Sequence, residues 1–308
     1  MILTVTLNTA LDLTYTVPAL VPHTAHRVAE AAERPGGKGV NVARVLAALG
    51  HEAVVTGFAG GPTGEVLRGL LAPLPVRDAL VPIAGATRRT VTVAGTAGGE
   101  ATRFDEPGPV VSAAEWAALL AVYDELLPQA RAVALCGSLP PGVHVGAYAP
   151  LVRRARAAGV PVLLDTSGEP LRRGIAARPD VVKPNAQELA ALTGGREPLR
   201  ATRDARRRGA HAVVTSLGAD GLLAVTPDGT WQAAPPAPVR GNPTGAGDAA
   251  VAGLLSAAVE GLPWPDRLAR AAALAAAAVL APVAGEYDPD AYADLRPRVT
   301  VTEQAAAA

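Results

Sequence analysis

An acidic residue surrounded by glycines lies in the stretch GNPTGAGDAA, residues 241–250, directly before an alanine-rich apolar run. Gly245 and Gly247 allow backbone N–H groups to turn toward one point, and the helix expected from about Ala246 adds its positive N-terminal end. Such a turn binds an anion or stabilises negative charge that develops during a reaction. Asp248 is placed to accept a proton from a hydroxyl held above the turn. The alternative is an ordinary glycine-rich turn whose acid only complements the helix dipole.

A second glycine-rich turn, PGGKGVNVA at 35–43, also combines a permissive backbone with polar side chains. Gly36 and Gly37 permit close backbone approach, and Lys38 offers a positive charge to an anion. Asn41 can hydrogen-bond a sugar hydroxyl from the start of the following helix. The alternative is a turn with a solvated lysine.

Short apolar segments rich in β-branched residues alternate with segments of helical period along the chain. The predicted strands are ILTVTL, EAVVTGFAG, RAVALCG, VPVLLD, DVVKPN and HAVVTSLG, and helices separate them. This alternation indicates right-handed βαβ crossovers and a mostly parallel sheet with helices on both faces. Because no repeat or linker divides the chain, we predict a single α/β domain over residues 1–308.

Two segments break this rhythm, at approximately residues 12–34 and 88–105. The second contains TVTV, a glycine-containing turn and ATRF, a pattern typical of a β-hairpin. We predict that both segments form a small β-lid over one edge of the core; plain surface loops would also lack helical period. The lid carries Arg27, Arg88 and Arg103, and arginine binds phosphate through paired hydrogen bonds.

Polar residues and glycines follow the ends of five predicted strands. They are Asn8 and Asp12, Gly137 and Ser138, Asp165, Lys183 and Asn185, and Ser216 and Gly218. Ligands of open α/β sheets bind outside the carboxyl ends of the strands, so these residues together predict a shared crevice. Taken singly, an aspartate or serine after a strand is often only a helix N-cap.

Composition argues against several classes of function. Lysine plus arginine and aspartate plus glutamate are equal at 28 each, which gives no reason to bind nucleic acid or an anionic membrane. The N-terminus has no basic region or cleavage signal, and the most apolar late run is shorter than the roughly 20 residues that span a bilayer. With one cysteine, Cys136, no disulfide forms within the chain. We therefore expect a cytoplasmic protein.

Several familiar motifs do not match this sequence or do not occur in it. In GGKGVN a glycine follows Lys38, where a Walker A loop needs serine or threonine. The five histidines form no zinc-binding pattern, and no GxSxG elbow of a hydrolase occurs. GAGDAA satisfies the loose GxGxxA dinucleotide pattern. However, a proline-rich loop precedes it, and two alanine-rich helices with no convincing strand follow, which disfavours a nicotinamide oxidoreductase.

Eight motifs occur in one order between residue 1 and about residue 285. They are GGKGVNVARVLAALG, TRRTVTV, TRFDEPGP, GSLPPGV, LDTSGEPL, VVKPNAQEL, SLGADGLL and PTGAGDAAVAG. In this order they resemble the phosphofructokinase B, or ribokinase-like, sugar kinases, and most of all the 1-phosphofructokinase and tagatose-6-phosphate kinase branch. The resemblance implies a Rossmann-like three-layer αβα sandwich with a β-sheet lid, ATP and Mg²⁺, and a sugar or sugar-phosphate acceptor.

The resemblance also implies a role for each matched residue. Asp248 would deprotonate the attacking hydroxyl, and the amides of Gly245, Ala246 and Gly247 would stabilise the transferring phosphoryl group. The sugar would be held by Asp12, Gly36, Gly37, Asn41 and Ser138, and its existing phosphate by Lys38, Arg27, Arg88 and Arg103. The nucleotide would be bound by Lys183, Asn185, Ser216, Gly218 and Gly221, and Glu188 would organise Mg²⁺.

We therefore expect an ATP-dependent kinase of fructose-1-phosphate, fructose-6-phosphate or tagatose-6-phosphate. Lys38 and the lid arginines argue against a kinase of an unphosphorylated sugar or nucleoside, because a neutral sugar needs no cationic clamp. Asp248 argues against a non-catalytic sugar-phosphate sensor, because binding alone needs no base. An exposed edge of the β-lid could pair with a second lid, so we expect a homodimer.

Overall fold

The computed structural model describes residues 1–97 and 101–304. Residues 98–100 of the predicted lid segment and residues 305–308 of the predicted domain therefore lie outside the described residues. Within the described part, a large, mostly parallel sheet lies between two layers of helices and carries a second, smaller sheet. The predicted α/β fold class with a small β-sheet lid is confirmed.

Eleven strands of the described chain form the central sheet. They are β1 (Ile2–Thr6), β4 (Ala53–Gly60), β5 (Val76–Asp78), β6 (Val81–Ile83), β9 (Ala132–Cys136), β10 (Val162–Asp165), β11 (Val181–Val182), β12 (Ala212–Ser216), β13 (Leu222–Val225), β14 (Thr230–Ala234) and β15 (Thr300–Glu303). Their order is β15-β14-β13-β12-β11-β10-β9-β1-β4-β5, with β6 paired to β4. Neighbours from β12 through β5 are parallel, and the neighbours from β12 to β15 are antiparallel.

Ten helices of the described chain cover the two faces of this sheet. They are α1 (Lys38–Ala48), α2 (Gly61–Leu71), α3 (Ala113–Leu126), α4 (Tyr148–Ala157), α5 (Gly168–Ile175), α6 (Ala186–Thr193), α7 (Pro198–Arg207), α8 (Ala246–Val259), α9 (Trp264–Val279) and α10 (Pro289–Leu295). The core on one face contains residues of α1, α8 and α9, and the core on the other contains residues of α3 to α7.

Side-chain size on the two faces of β9 matches the two helix layers. Val133 and Leu135 contribute to the core beneath α3 to α7, whereas Ala132, Ala134 and Cys136 contribute to the core shared with α8. Successive strand residues point to opposite faces, so one strand supplies both cores. The small side chains on the α8 face allow this alanine-rich helix to pack close to the sheet. Cys136 is fully buried there, as a small apolar side chain.

The expectation that no strand follows the two alanine-rich helices is wrong. Strand β15 follows α9 and pairs antiparallel with β14 at the edge of the central sheet. Three of its four residues are exposed, so its sequence, TVTE, carries no apolar alternation that would indicate a strand. Pairing with β14 stabilises it, and that contact is invisible in the local sequence.

The lid sheet contains β2 (Ala10–Val17), β3 (Glu30–Gly36), β7 (Arg88–Gly95) and β8 (Ala101–Asp105), in the order β3-β2-β7-β8. Two antiparallel pairs, β2–β3 and β7–β8, are joined by parallel pairing of β2 with β7. Strand β2 leaves the core shortly after β1, and β3 returns just before α1. The lid therefore connects directly to the glycine turn at Gly36 and Gly37 before α1.

The register places one row of polar residues across the lid. Arg34 lies beside Asp12, Asp12 beside Thr90, and Thr90 beside Asp105. Because side chains alternate along each strand, Arg88 and the other even-numbered residues of β7 share this face. We call it the inner lid face, and the opposite side the outer lid face.

Candidate active site

Two cavities open at the carboxyl ends of the parallel strands. The lid cavity, of about 820 Å³, lies between the inner lid face and the core. Its walls include Asn8, Lys38, Arg88, Arg103, Asp105, Ser138 and Glu188. The glycine cavity, of about 810 Å³, has walls that include Asn185, Ser216, Gly218, Gly221, Ala246 and Gly247. The predicted crevice therefore exists, and it is divided into two compartments.

The turn before α8 has the conformation that the glycines predict. Gly245 has φ of 89°, in the left-handed region, and a Cβ there would lie 2.8 Å from Cα of Ala284. The Ala246 amide donates to the carbonyl oxygen of Pro243 at 3.3 Å. In the part of the chain that is described, the amides of Gly245 and Gly247 have no acceptor. The predicted glycine turn is thus formed, with two free amides instead of three.

Asp248 lies in the first turn of α8 and is 7% exposed. Its Oδ2 accepts a hydrogen bond from Nδ2 of Asn41 at 2.9 Å, and within the described residues it makes no ion pair. Burial raises its pKa to about 6, against the lowering effect of Lys38. Asp248 is not a wall residue of either cavity, although its neighbour Gly247 lines the glycine cavity and Lys38 lines the lid cavity. A carboxylate with this pKa is suited to accept a proton near neutral pH.

A buried charge network lies where the two cavities approach each other. Asp165, at the end of β10, has Oδ2 3.3 Å from Nζ of Lys38 and Oδ1 3.4 Å from Nζ of Lys183. Burial alone would raise the pKa of Asp165, but the two lysines outweigh it and hold that pKa below its usual range. The same carboxylate raises the pKa of Lys38. A Cβ on Gly247 would lie 3.6 Å from Nζ of Lys183, so this ammonium group faces the turn before α8.

Arg44 is not among the site residues that the motifs indicate, yet it braces the turn before α8. Its Nη1 donates to the carbonyl oxygen of Ala284 at 2.9 Å, and its Nη2 is 2.6 Å from Oε1 of Glu286. Ala284 in turn packs against Gly245. Arg44 is 9% exposed in an otherwise apolar stretch of α1, and that isolated charge is the signal that could have indicated a buried partner.

The inner lid face holds four of the nine predicted acceptor-binding residues: Asp12, Gly36, Arg88 and Arg103. Arg88 donates from Nε to the carbonyl oxygen of Asn8 at 3.3 Å, which orients its guanidinium group in the wall of the lid cavity. Burial raises the pKa of Asp12 to about 6, although Arg103 and Arg88 lower it. A Cβ on Gly36 would lie 2.1 Å from Oδ2 of Asp12, so glycine is required to leave room for this carboxylate.

Two further predicted acceptor residues differ in their placement. Ser138 lines the lid cavity, and its Oγ accepts a hydrogen bond from Nδ2 of Asn8 at 3.1 Å. Arg27 lies in the exposed connection between β2 and β3 and is not a wall residue of the lid cavity. Within this chain, the structure therefore brings Arg88 and Arg103 to the cavity and leaves Arg27 apart from it. Gly37 has φ of 102° and holds the start of α1 beside them.

Four of the five predicted nucleotide residues, Asn185, Ser216, Gly218 and Gly221, line the glycine cavity, and the fifth, Lys183, is not one of its wall residues. Asn185 Oδ1 accepts from the Glu188 amide at 2.8 Å, and Glu188 Oε2 accepts from the Asn185 amide at 2.9 Å, which forms a capping box on α6. Glu188 itself faces the lid cavity. Gly218 and Gly221 have φ of 64° and 83°, and a Cβ on Gly221 would meet the carbonyl oxygen of Ala233 at 2.0 Å.

Known proteins are similar to this chain in both sequence and fold. Residues 4–291 match the model of the pfkB family carbohydrate kinases. A 1-phosphofructokinase of Rhodobacter capsulatus is 42% identical over 289 residues, covering 91% of this chain and 92% of that protein. Phosphofructokinase-2 of Escherichia coli in complex with fructose-6-phosphate superposes with a TM-score of 0.86, at 33% identity, over 96% and 98% of the two chains. The tetrameric inhibited form of the same enzyme has a TM-score of 0.86 at 32% identity, with the same coverage.

No helix among residues 1–97 and 101–304 is long and apolar enough to cross a membrane.

Proposed function

The chain belongs to the pfkB family of carbohydrate kinases, and on this premise we propose that it transfers the terminal phosphoryl group of ATP to a hydroxyl of a ketohexose phosphate. The observation that carries the proposal is the turn from Gly245 to Asp248 at the start of α8, which we call the catalytic turn. It combines two free amides, a helix N-terminus and the Lys183 ammonium group with a nearby carboxylate whose pKa is about 6. Phosphoryl transfer needs positioning and charge stabilisation of this kind more than it needs covalent catalysis.

In the proposed mechanism, Asp248 removes the proton from the attacking hydroxyl of the acceptor. Its hydrogen bond from Asn41 holds the carboxylate in place, and its raised pKa leaves it ionised yet basic at neutral pH. The amides of Gly245 and Gly247, together with Lys183, stabilise the negative charge on the phosphoryl group as it moves. Closing the lid over the acceptor would exclude water and limit ATP hydrolysis.

The acceptor is proposed to carry a phosphate group already. Lys38, Arg88 and Arg103 bring three positive charges to the walls of the lid cavity, and a neutral sugar would need none of them. The named relatives act on or bind ketohexose phosphates: one is a 1-phosphofructokinase and the other was crystallised with fructose-6-phosphate. We therefore rank fructose-1-phosphate first, with fructose-6-phosphate and tagatose-6-phosphate as the further acceptors to test.

ATP is proposed to occupy the glycine cavity and Mg²⁺ to be held by Glu188. The fit of ATP rests on Gly218 and Gly247, whose missing Cβ atoms leave the backbone open to a phosphate chain. In the described residues, no group of three or more His, Cys, Asp or Glu side chains could hold a metal ion. A single carboxylate is suited to Mg²⁺, which in kinases is bound by one or two carboxylates, water and substrate phosphates. When bound, Mg²⁺ would neutralise charge on the phosphates.

The outer lid face supports a homodimer. Leu13, Tyr15, Val91 and Val93 lie on this face half-buried, and Phe104 is 56% exposed. An apolar sheet surface of this kind is typical of an association site. The related phosphofructokinase-2 forms a tetramer, so association of family members is established for that protein. We propose that two lids pack against each other in a homodimer, and that the protein is located in the cytoplasm. If analytical ultracentrifugation at assay concentrations found only a monomer, the dimer would be contradicted.

One assay tests the proposed function. Purified protein is incubated with ATP and Mg²⁺ and with each of five acceptors: fructose-1-phosphate, fructose-6-phosphate, tagatose-6-phosphate, ribose and fructose. ATP consumption and the phosphorylated product are measured. We expect turnover with a ketohexose phosphate that EDTA abolishes. Turnover confined to ribose or fructose, or to none of the five, would contradict the proposal.

A further inference from the structure

We propose that Asp105 occupies the arginine pair of the lid cavity as a resident anion, and that it limits the affinity of the enzyme for phosphorylated acceptors. The inference rests on the proposed function, because it takes the acceptor to carry a phosphate group. Asp105 would thereby be a specificity-determining residue: it competes with the phosphate of the acceptor for the same guanidinium groups.

The register of the lid sheet places this carboxylate between the two arginines. On β8, Asp105 pairs with Thr90 of β7, and Arg103 pairs with Thr92. Arg88, two residues before Thr90, points to the same inner lid face. Asp105 therefore has Arg103 on one side and Arg88 on the other, and all three side chains are walls of the lid cavity.

Arg103 is engaged with Asp105 through one full edge of its guanidinium group. Its Nε is 2.9 Å from Oδ1 and 3.1 Å from Oδ2, and its Nη2 is 2.9 Å from Oδ1. This Nε–Nη2 edge is one that arginine uses for paired hydrogen bonds to a phosphate. A phosphate bound at that edge must therefore displace Asp105.

Arg88 is only partly engaged with the same carboxylate. Its Nη1 lies 3.7 Å from Oδ1 of Asp105. The guanidinium group also donates from Nε to the carbonyl oxygen of Asn8 and from Nη1 to the carbonyl oxygen of Glu106, at 3.3 Å each. Its side chain is 11% exposed, against 50% for Arg103. Arg88 is thus held in place by the backbone, whereas the rotation of Arg103 toward a ligand depends on releasing Asp105.

Charge reinforces this competition. A phosphate group near Asp105 would meet a like charge, since Arg88 and Arg103 are already partly neutralised by the carboxylate. Asp105 is 46% exposed, so solvent screens both its attraction to the arginines and its repulsion of phosphate. The expected effect is consequently moderate: about threefold to tenfold in affinity, as for an exposed ion pair with some added repulsion.

The test compares Asp105→Asn with wild type in the intact protein. Equilibrium dissociation constants for fructose-1-phosphate, fructose-6-phosphate and fructose are measured by calorimetry at low and at high salt. We expect Asp105→Asn to bind the preferred sugar phosphate about threefold to tenfold more tightly, with a smaller difference at high salt. Binding of fructose, which has no phosphate group, should not tighten.

A matched control is Asp124→Asn. Asp124 is also 46% exposed and also pairs with an arginine, Arg154, but this pair lies on α3 and α4 away from the lid. It should leave the binding of the sugar phosphate unchanged. Asp105→Thr, whose β-branched side chain suits an exposed strand, provides a second variant with the same expected direction.

Two results would overturn the proposal. Unchanged sugar-phosphate binding in both Asp105 variants would mean that the carboxylate does not compete. Weaker binding would mean that Asp105 accepts a hydrogen bond from the acceptor. Both are distinct from failure of the proposed function, in which the wild-type enzyme phosphorylates none of the ketohexose phosphates.

Discussion

The catalytic turn and the inner lid face border the same crevice but are built in opposite ways. Around the turn, Asp248, Asn41, Arg44 and Lys183 are each at most 9% exposed, and each has a partner from a distant part of the chain. On the lid, every residue of β8 is exposed and half of the Arg103 side chain is accessible to solvent. The turn is held rigidly by packing, whereas Arg103 and Asp105 on the lid are free to exchange partners.

This difference matches two different tasks: stabilisation of the transition state at the turn and binding of the acceptor at the lid. A preorganised turn stabilises a transition state without reorganising during the reaction, which requires burial and several simultaneous contacts. A lid that admits and releases an acceptor needs exposed side chains with modest interaction energies. Changes in the turn should therefore reduce kcat, and changes on the lid should alter KM for the acceptor.

The largest effect is expected from Asp248→Asn. Asparagine keeps the shape of the side chain but cannot take the proton, so kcat should fall by about 10²- to 10⁴-fold. Binding of the sugar phosphate, measured by calorimetry, should persist. Asp266→Asn removes the first-turn acid of α9 and is the matched control, because it has the same relation to a helix dipole and no contact with the site. Equal kcat in wild type and Asp248→Asn would contradict the assignment of the base.

A lid change should act on KM instead. Arg88→Ala removes a charge-assisted contact to the acceptor phosphate, so KM for the sugar phosphate should rise about tenfold to a hundredfold while KM for ATP stays constant. Its neighbour Arg89 points to the outer lid face, so Arg89→Ala removes the same charge without affecting the cavity. Steady-state kinetics of both variants test whether Arg88 binds the acceptor phosphate. A similar rise in KM in both variants would show a general effect of charge and would contradict a direct contact between Arg88 and the phosphate.

The pH dependence of kcat should report the protonation of the buried carboxylates. Burial raises the pKa of Asp248 to about 6, and the reaction needs its ionised form. The rate should therefore be constant above this pH and fall as pH decreases through about 6, to about one-tenth of the plateau near pH 5. Because Asp12 has a similar pKa, kcat is measured with saturating acceptor in wild type and in Asp12→Asn. Loss of the acidic limb of kcat in Asp12→Asn would assign that limb to Asp12.

The smallest effect concerns the brace behind the turn. Arg44→Met removes the contacts with Ala284 and Glu286 and should lower kcat about fivefold, which corresponds to about 1 kcal/mol of transition-state stabilisation. Arg270→Met is closely matched: both arginine side chains are 7–8% exposed, and their glutamate partners are 43% and 40% exposed.

Both brace variants should lose similar thermal stability, measured as Tm, because each removes the arginine that pairs with a glutamate. Only Arg44→Met should also lower kcat, since Arg270 lies on α9 and bonds the far end of α8. An equal decrease of kcat in the two variants would mean that Arg44 acts through general stability alone.

Local patterns predicted much of this molecule correctly. The strands and helices of the α/β core follow from periodicity, and the lid from the lack of it at segments 12–34 and 88–105. The glycine turns also follow from local rules, because φ of 89° at Gly245 and 102° at Gly37 suits glycine above all other residues. The exposed edge strand β15 was missed because only its pairing with β14 stabilises it.

The amino-acid sequence by itself determined which chemistry was available: two permissive turns, one acid at a helix start, and basic residues in predicted lid and strand-end positions. Tertiary structure decided which of these groups act on one another. Asn41 and Asp248 are 207 positions apart, and Lys38 and Asp165 are 127 apart, yet each pair lies within 3.3 Å. Burial raises the pKa of Asp248, the ion pair with Asp165 raises the pKa of Lys38, and the lid register pairs Asp105 with the arginines. The physical reason is that dihedral preferences act between neighbours in the chain, whereas desolvation and ion pairing act through space.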